Sequence, residues 1–210
     1  MSISQSDITG VILAGGLARR MGGVDKGLQP FRGLTLVEHA LQRLRPQVQI
    51  VGINANRHLD QYRTLGAPVW PDATAEFAGP LAGFAAGLMH CTTPYLLTAA
   101  CDTPLFPLDL AARLGQALHD ADADIAMAAA PETDDQGHKQ IRTQPVFCLL
   151  RASLLGSLQH YMQSGRRKID AWTALHRTVE VAFDRPTDPP HGFVNINTLP
   201  HLQSLDTTLP

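Results

Sequence analysis

The stretch LAGGLARRMGGVDKGL, Leu13 to Leu28, sets glycines among Arg19, Arg20, Asp25 and Lys26 directly behind a short apolar run. Glycine lets a backbone adopt positive φ and come close to a ligand, and successive N–H groups can then form an anion-binding nest. Arg20 and Lys26 add fixed positive charge, so the chemistry on offer is the handling of phosphate. Neither stock phosphate loop fits. There is no G-x-G-x-x-G, and Lys26 stands between Asp25 and Gly27 rather than in GxxxxGK[ST]. The same composition also suits a solvated connection between two elements.

A second candidate is CDTP, Cys101 to Pro104, behind the apolar run PYLLTAA. Asp102 could hold Mg2+, an ion that favours carboxylate and phosphate oxygens and usually takes only one or two protein carboxylates. It could equally cap the helix that follows. Gly79, ahead of Pro80 in EFAGPLAGFAAG, would let a flat ring or a phosphate approach a helix N-terminus, whereas Gly83 and Gly87 read as packing positions. Asp72 suits a ligand hydrogen bond or an Asx-turn. Arg166, Arg167 and Lys168 form a compact basic cluster that suits a solvated helix end or a phosphate contact. The nine histidines show no HxH or HExxH spacing, so none is assigned to metal. Cys101 reads as a small core residue.

Such residues need a scaffold that brings them to one place. Residues 9–14, 48–54, 68–70 and 94–100 read as strands, the first a short apolar run stopped by glycines. Between them, LVEHALQRL puts Leu36, Val37, Ala40, Leu41 and Leu44 on one helical face ahead of Pro46. Leu81, Ala85, Leu88 and Met89 make a second stripe, and Leu110, Leu114 and Leu118 a third, with Pro107 as its first-turn proline. This alternation predicts an α/β fold, a doubly wound, mostly parallel sheet with helices on both faces, over residues 8–120. Further on, ADIAMAAA and TQPVFCLL read as strands that extend the sheet, and ASLLGSLQHYM as a helix ended by Ser164-Gly165. In open α/β sheets ligands settle outside the carboxyl ends of the strands. Gly15 and Gly16, Asn54, Asp72 and Asp102 fall at four consecutive strand ends, which favours a binding loop over an idle connection.

At 210 residues the chain suits one domain, and its formal charge of −2 argues against a general nucleic-acid or membrane-surface binder. Three cysteines without CxxC spacing indicate neither a disulfide framework nor a zinc site and suit a reducing cytoplasm. The start, MSISQSD, lacks the features of a signal peptide, and no apolar stretch approaches the ~20 residues that span a bilayer.

The order LAGG, RMGG, DK, NAN, GPLAG, CDTP and NINT, at Leu13, Arg20, Asp25, Asn54, Gly79, Cys101 and Asn195, closely resembles the bacterial molybdenum cofactor guanylyltransferases over nearly the whole chain. The shorter LAGG and DK elements recur across nucleotidyltransferases that act on sugar phosphates and isoprenoid precursors. The resemblance implies one nucleotidyltransferase-like, Rossmann-type domain over 1–210, with a nucleotide part at 8–120 and a pterin part at 121–205. It implies Mg2+-dependent transfer of GMP from GTP to the terminal phosphate of molybdopterin carrying molybdenum, with release of pyrophosphate. Leu13, Ala14, Gly15 and Gly16 would hold the nucleotide through backbone, beside Gly79; Asn54 and Asp72 would take part in GTP binding; Lys26 and Arg20 would meet phosphate; and Asp102 would hold nucleotide and metal. Gln144, Arg166, Arg167, Lys168, Asn195 and Asn197 are candidates for the pterin side.

The expected partners are therefore GTP and molybdopterin, with transient contacts to other proteins of molybdenum cofactor biosynthesis, no nucleic acid and no membrane. A monomer is expected. Two positions depart from the family pattern: Gly33-Leu34-Thr35-Leu36 stands where Gly-Lys-Pro-Leu is usual, and Leu199 follows NINT where proline is usual. The competing readings are a cytidylyltransferase on the same pterin, a sugar-phosphate nucleotidyltransferase, and a nucleotide-binding module without turnover. Gly15-Gly16 with RMGG favours guanylyl transfer, and the presence of both Lys26 and Asp102 argues against the module.

Overall fold

The computed structural model describes residues 2–16, 25–73, 79–133 and 137–196. In chain order the elements are β1 (Ile8–Leu13), β2 (Pro30–Phe31), β3 (Leu34–Thr35), α1 (Leu36–Leu44), β4 (Ile50–Asn54), α2 (Leu59–Arg63), α3 (Pro80–His90), β5 (Tyr95–Ala100), α4 (Leu110–Asp120), β6 (Ile125–Thr133), β7 (Lys139–Arg151), α5 (Leu155–Gln163), α6 (Ile169–Thr173) and β8 (Thr178–Ala182). Six strands form one sheet in the order β4-β1-β5-β7-β6-β8, and β2 and β3 make a small separate hairpin. The pairs β1·β4, β1·β5 and β6·β8 are parallel, and β7 runs antiparallel to both neighbours. The sheet is thus mostly parallel, as expected.

Alternation along the strands sends side chains to two faces, and both are covered. Ile8, Ile12, Leu97, Ala99, Phe147 and Leu149 join α1 and α4 in one core, while Val11, Leu96, Met127, Cys148 and Leu150 join α3, α5 and α6 in another. This is the doubly wound arrangement. Helix α1 starts at a capping box: the Glu38 N–H donates to Thr35 Oγ1, and Glu38 Oε2 accepts from the Thr35 N–H at 2.7 Å. Its five apolar residues are buried, each leucine contributing about 2 kcal/mol.

Three local expectations need correction. Met89 is half exposed, and α3 is buried all round from Leu81 to Leu88 because it lies between the sheet and α5 rather than under solvent. Residues 68–70 are not a strand: Val69 makes one isolated bridge to Ile53, since Pro68 has no N–H to donate and the Trp70 ring turns in over Gly52. Pro107 lies outside α4, whose N-cap is Asp109 and whose Ala111 N–H donates to the buried Gln47 Oε1 at 2.9 Å. Asp102 therefore does not cap that helix. Among the described residues no helix is long and apolar enough to cross a membrane.

Candidate active site

Parallel pairing continues past the strand ends and gathers the candidates at one edge of the sheet. The Ala14 N–H donates to Asn54 O at 2.8 Å, and the Cys101 N–H donates to Leu13 O at 3.1 Å, so the segments after β4, β1 and β5 leave the sheet side by side. Lys26 Nζ meets Asp102 Oδ2 at 2.7 Å, joining the glycine loop to CDTP across 76 positions of sequence. The side chains are 18% and 24% exposed, so the pair is largely shielded yet open to a ligand on one side.

Lys26 sits in a braced turn. The Val37 N–H donates to Gly27 O, and the Leu36 N–H to Gln29 O, tying the turn to the first residues of α1. Asp25 is buried, and its Oδ1 accepts from the Gly27 N–H at 3.1 Å and from the Tyr62 hydroxyl at 2.5 Å. Burial, and then the bond to Asp25, push the Tyr62 hydroxyl well above its usual range, so it stays a donor. Tyr62 lies on α2, which the sequence reading missed.

Asp102 is braced in turn from the far end of the chain. Its carbonyl accepts from the Ile196 N–H at 2.8 Å, and Thr103 Oγ1 donates to Asn195 Oδ1 at 2.5 Å. Cys101 is buried; desolvation and then the Asp102 carboxylate raise its thiol well above the usual range. It is a neutral core thiol at physiological pH, as expected from its type.

At the end of β4 the side chains form an amide–carboxylate cluster. Asn54 Nδ2 donates to Trp70 O at 2.9 Å and to Asp72 Oδ1 at 2.8 Å. Asn56 Nδ2 donates to Asp72 Oδ2 at 2.7 Å, and the Asp72 N–H donates back to Asn56 Oδ1 at 2.8 Å. Asn56 was not picked out from sequence, although the repeated asparagine of NAN was the available signal. Arg57 Nη2 donates to Gly16 O at 3.2 Å, so this segment grips the glycine loop directly.

Gly15 and Gly16 differ from the expectation of a positive-φ loop, whereas Gly79, Gly83 and Gly87 follow theirs. Neither Gly15 nor Gly16 adopts a left-handed φ; a Cβ on Gly15 would instead lie 2.9 Å from Asn56 Nδ2 and 3.2 Å from Asn54 Oδ1. Space, not backbone freedom, favours glycine at position 15. Gly79, the N-cap of α3, does have a φ of 121° and faces open space. Gly83 packs α3 onto the site, since its Cβ would come 2.6 Å from both Asn54 Oδ1 and Leu13 Cδ2. Gly87 packs on Val11 in the same way, so both match the packing reading.

The other candidates are more scattered. Arg20 and Asn197 lie outside the described residues. Arg167 Nη1 donates to Met162 O and Arg166 O, both at 2.7 Å, and the Arg166 guanidinium lies over the Tyr161 ring, so the basic cluster closes the C-terminus of α5. Gln144 is buried near the middle of β7, where Nε2 donates to Glu132 Oε1 at 2.9 Å. Because β7 is antiparallel, this part of it lies towards the edge that holds Asp102. Backbone pairing between β5 and β7 stops at Leu97. Beyond it the buried Thr98 hydroxyl donates to Val146 O and accepts from the Cys148 N–H. Among the described residues no group of three or more His, Cys, Asp or Glu is placed to hold a metal ion. Asp102 offers a partly exposed carboxylate against Lys26.

A family model described as the MobA-like NTP transferase domain matches residues 10–180. A molybdenum cofactor guanylyltransferase of Acidovorax ebreus (strain TPSY) is 62% identical over 205 residues, covering 97% of this chain and 97% of its own. One from Albidiferax ferrireducens is 57% identical over 206 residues, covering 97% and 98%. Among solved structures, the molybdopterin-guanine dinucleotide biosynthesis protein A of Archaeoglobus fulgidus superposes with a TM-score of 0.72 at 22% identity, over 95% of this chain and 97% of that one. That likeness shows the shared fold, and the sequence matches show more: the chain belongs to the molybdenum cofactor guanylyltransferase family, within the MobA-like NTP transferase domains.

Proposed function

We propose that this chain transfers GMP from GTP to the terminal phosphate of molybdopterin carrying molybdenum, releasing pyrophosphate. The observation that carries the reading is the 2.7 Å contact between Lys26 and Asp102 at the strand ends, a cation and an anion held ready where two polyanionic reactants must meet. A phosphate oxygen of the pterin attacks the α-phosphorus of GTP. The bond from that phosphorus to the bridging oxygen breaks, and pyrophosphate leaves with the electron pair. No protein nucleophile is required, in keeping with the buried, neutral Cys101 thiol beside the site. Catalysis then rests on alignment and on charge fixed in advance.

Within this reading the nucleotide lies across the ends of β4, β1 and β5. Phosphate belongs at Lys26, together with Arg20, and against the backbone of Leu13, Ala14, Gly15 and Gly16. The guanine belongs at Asn54 and Asp72, because a carboxylate repels phosphate but accepts from the N1–H and 2-amino donors of guanine. Gly79 leaves room beside the first turn of α3. The Mg2+ implied by the family fits Asp102, a partly exposed single carboxylate, since Mg2+ usually completes its shell with phosphate oxygens and water. Bound there, it supplies neutralisation of triphosphate charge.

The pterin belongs on the side of β6 and β7, with Gln144, Arg166, Arg167, Lys168, Asn195 and Asn197 as its candidate contacts. The chain acts as one domain and as a monomer, with 8–120 serving the nucleotide and 121–205 the pterin. Its three free thiols suit a reducing compartment, and the reaction is placed in the cytoplasm. The test is pyrophosphate release from GTP, CTP and ATP with Mg2+ and molybdenum-loaded molybdopterin. Release with GTP alone is expected. Preference for CTP would overturn guanylyl transfer, and no release with any nucleotide, on intact pterin, would overturn catalysis.

A further inference from the structure

Asp72 carries the guanine in the proposed reaction, yet it belongs to no helix or strand. Its position is fixed by neighbouring side chains. Asn54 reaches one carboxylate oxygen at 2.8 Å but must also serve Trp70 O at 2.9 Å, so its amide group is divided between two acceptors. Asn56 makes the two-point contact: its Nδ2 donates to the other carboxylate oxygen at 2.7 Å, while its Oδ1 accepts from the Asp72 N–H at 2.8 Å. Side chain and backbone of one residue are thereby held by the two ends of one planar amide. Such a contact fixes rotation as well as distance.

The glycine loop is shaped around the same amide. A Cβ at Gly15 would stand 2.9 Å from Asn56 Nδ2, so the loop backbone passes close beside the clamp. A base held along that backbone lies next to Asp72 in the orientation Asn56 imposes. Asn56 is also exposed, so its loss costs the core nothing.

We propose that Asn56 is a positioning residue for nucleotide choice: by clamping Asp72 it makes the enzyme depend on the 2-amino group of guanine. This rests on the placement of guanine at Asp72 proposed above. A clamped carboxylate meets N1–H and the 2-amino group together, and a nucleotide lacking the amino group forfeits one of these bonds. With the clamp gone the carboxylate is held at one oxygen only, by Asn54, and turns away from the base, so GTP loses two bonds where ITP loses one.

The experiment compares GTP with ITP, which lacks only the 2-amino group, in steady-state pyrophosphate release by wild type, Asn56→Ala and Asp72→Asn. For Asn56→Ala we expect KM for GTP to rise about tenfold, the scale of one charge-assisted hydrogen bond, with kcat nearly unchanged and the GTP/ITP ratio of kcat/KM falling towards one. Melting temperature should stay at the wild-type value, which a purely structural role would not combine with a KM effect. An Asn56→Ala enzyme with wild-type KM and GTP/ITP ratio, while Asp72→Asn loses discrimination, would overturn the role of Asn56 and leave the guanine placement standing. Undiminished discrimination in Asp72→Asn would overturn the guanine placement itself, and the proposal with it.

Discussion

An ion pair and an ion-pair network stand at opposite edges of the same sheet, with the same shortest distance and very different surroundings. At the edge where β1 and β5 end, Lys26 and Asp102 meet at 2.7 Å with side chains 18% and 24% exposed. At the edge where β6 and β8 begin and β7 ends, Arg177 meets Asp122 at 2.7 Å with side chains 60% and 77% exposed. Arg177 also reaches Asp124, and Arg151 reaches both aspartates. The lower group is a closed, solvated network, of the kind that contributes little to stability. The upper pair is shielded, braced through Asp25, Tyr62 and Ile196, and placed where loops converge. Distance alone does not distinguish them; shielding and position at the strand ends do.

The sharpest way to break this contrast is to remove the upper charges. Lys26→Ala and Asp102→Ala should each lower turnover by about 10² or more, the cost of losing a fixed charge-stabilising contact, while circular dichroism and melting show an intact fold. Near-normal pyrophosphate release in either variant would remove that residue from the site. Next in size is Gly83→Ala, whose methyl would press on Asn54 Oδ1 and Leu13. It should destabilise the protein by about 1–3 kcal/mol in urea titrations and raise KM for GTP, since the strain falls on the edge proposed for the nucleotide.

Smaller effects test supports away from the contacts themselves. Thr35→Ala removes the cap of α1 and should cost about 1 kcal/mol of stability without altering kcat. The Thr35 hydroxyl, and then its N–H, hold the Glu38 carboxyl below its ordinary value. A folded-state value below the unfolded one stabilises above the ordinary carboxylate range and is lost as pH falls through the folded value, so the difference between wild type and Thr35→Ala should shrink below about pH 4.

Smallest of all is Arg177→Ala, which should leave turnover unchanged and lower the melting temperature slightly at low salt, with the difference gone at high salt. Arg177 likewise holds the Asp122 and Asp124 carboxyls low, so that difference should also fade in acid. A loss of turnover in this variant would erase the distinction between the two edges.

Much of the upper edge could be read directly from sequence, because local signals and global position agree there. The apolar run before Gly15, the stripe of α1 and the turn residues around Asp102 each point to one element, and parallel strands send their ends to a common rim. What stayed hidden depends on contacts between distant segments. Tyr62 and Asn56 look like ordinary residues of a polar connection until folding puts them against Asp25 and Asp72. Met89 was misplaced because a stripe argument assumes one wet face, and α3 has none. The second aspartate reading, Asp102 as a helix cap, looked equal in sequence; Gln47 reaches α4 from far away, and no local pattern could announce it. Helix α6 and strand β8 have five residues each, and β2 and β3 only two each, too few for periodicity to register.

Thr98 has a consequence for the spacing of the strands beneath the proposed reaction site. One hydroxyl stands in for the ladder that β5 and β7 abandon after Leu97, donating to Val146 O and accepting from the Cys148 N–H. It acts as a doorstop, holding the two strands at one spacing where their backbone ladder has ended. In the proposed reaction, the separation between the side assigned to the nucleotide and the side assigned to the pterin would then be set by a fixed spacer in the protein interior, and reactants of different size would have to adapt to the gap rather than the gap to them.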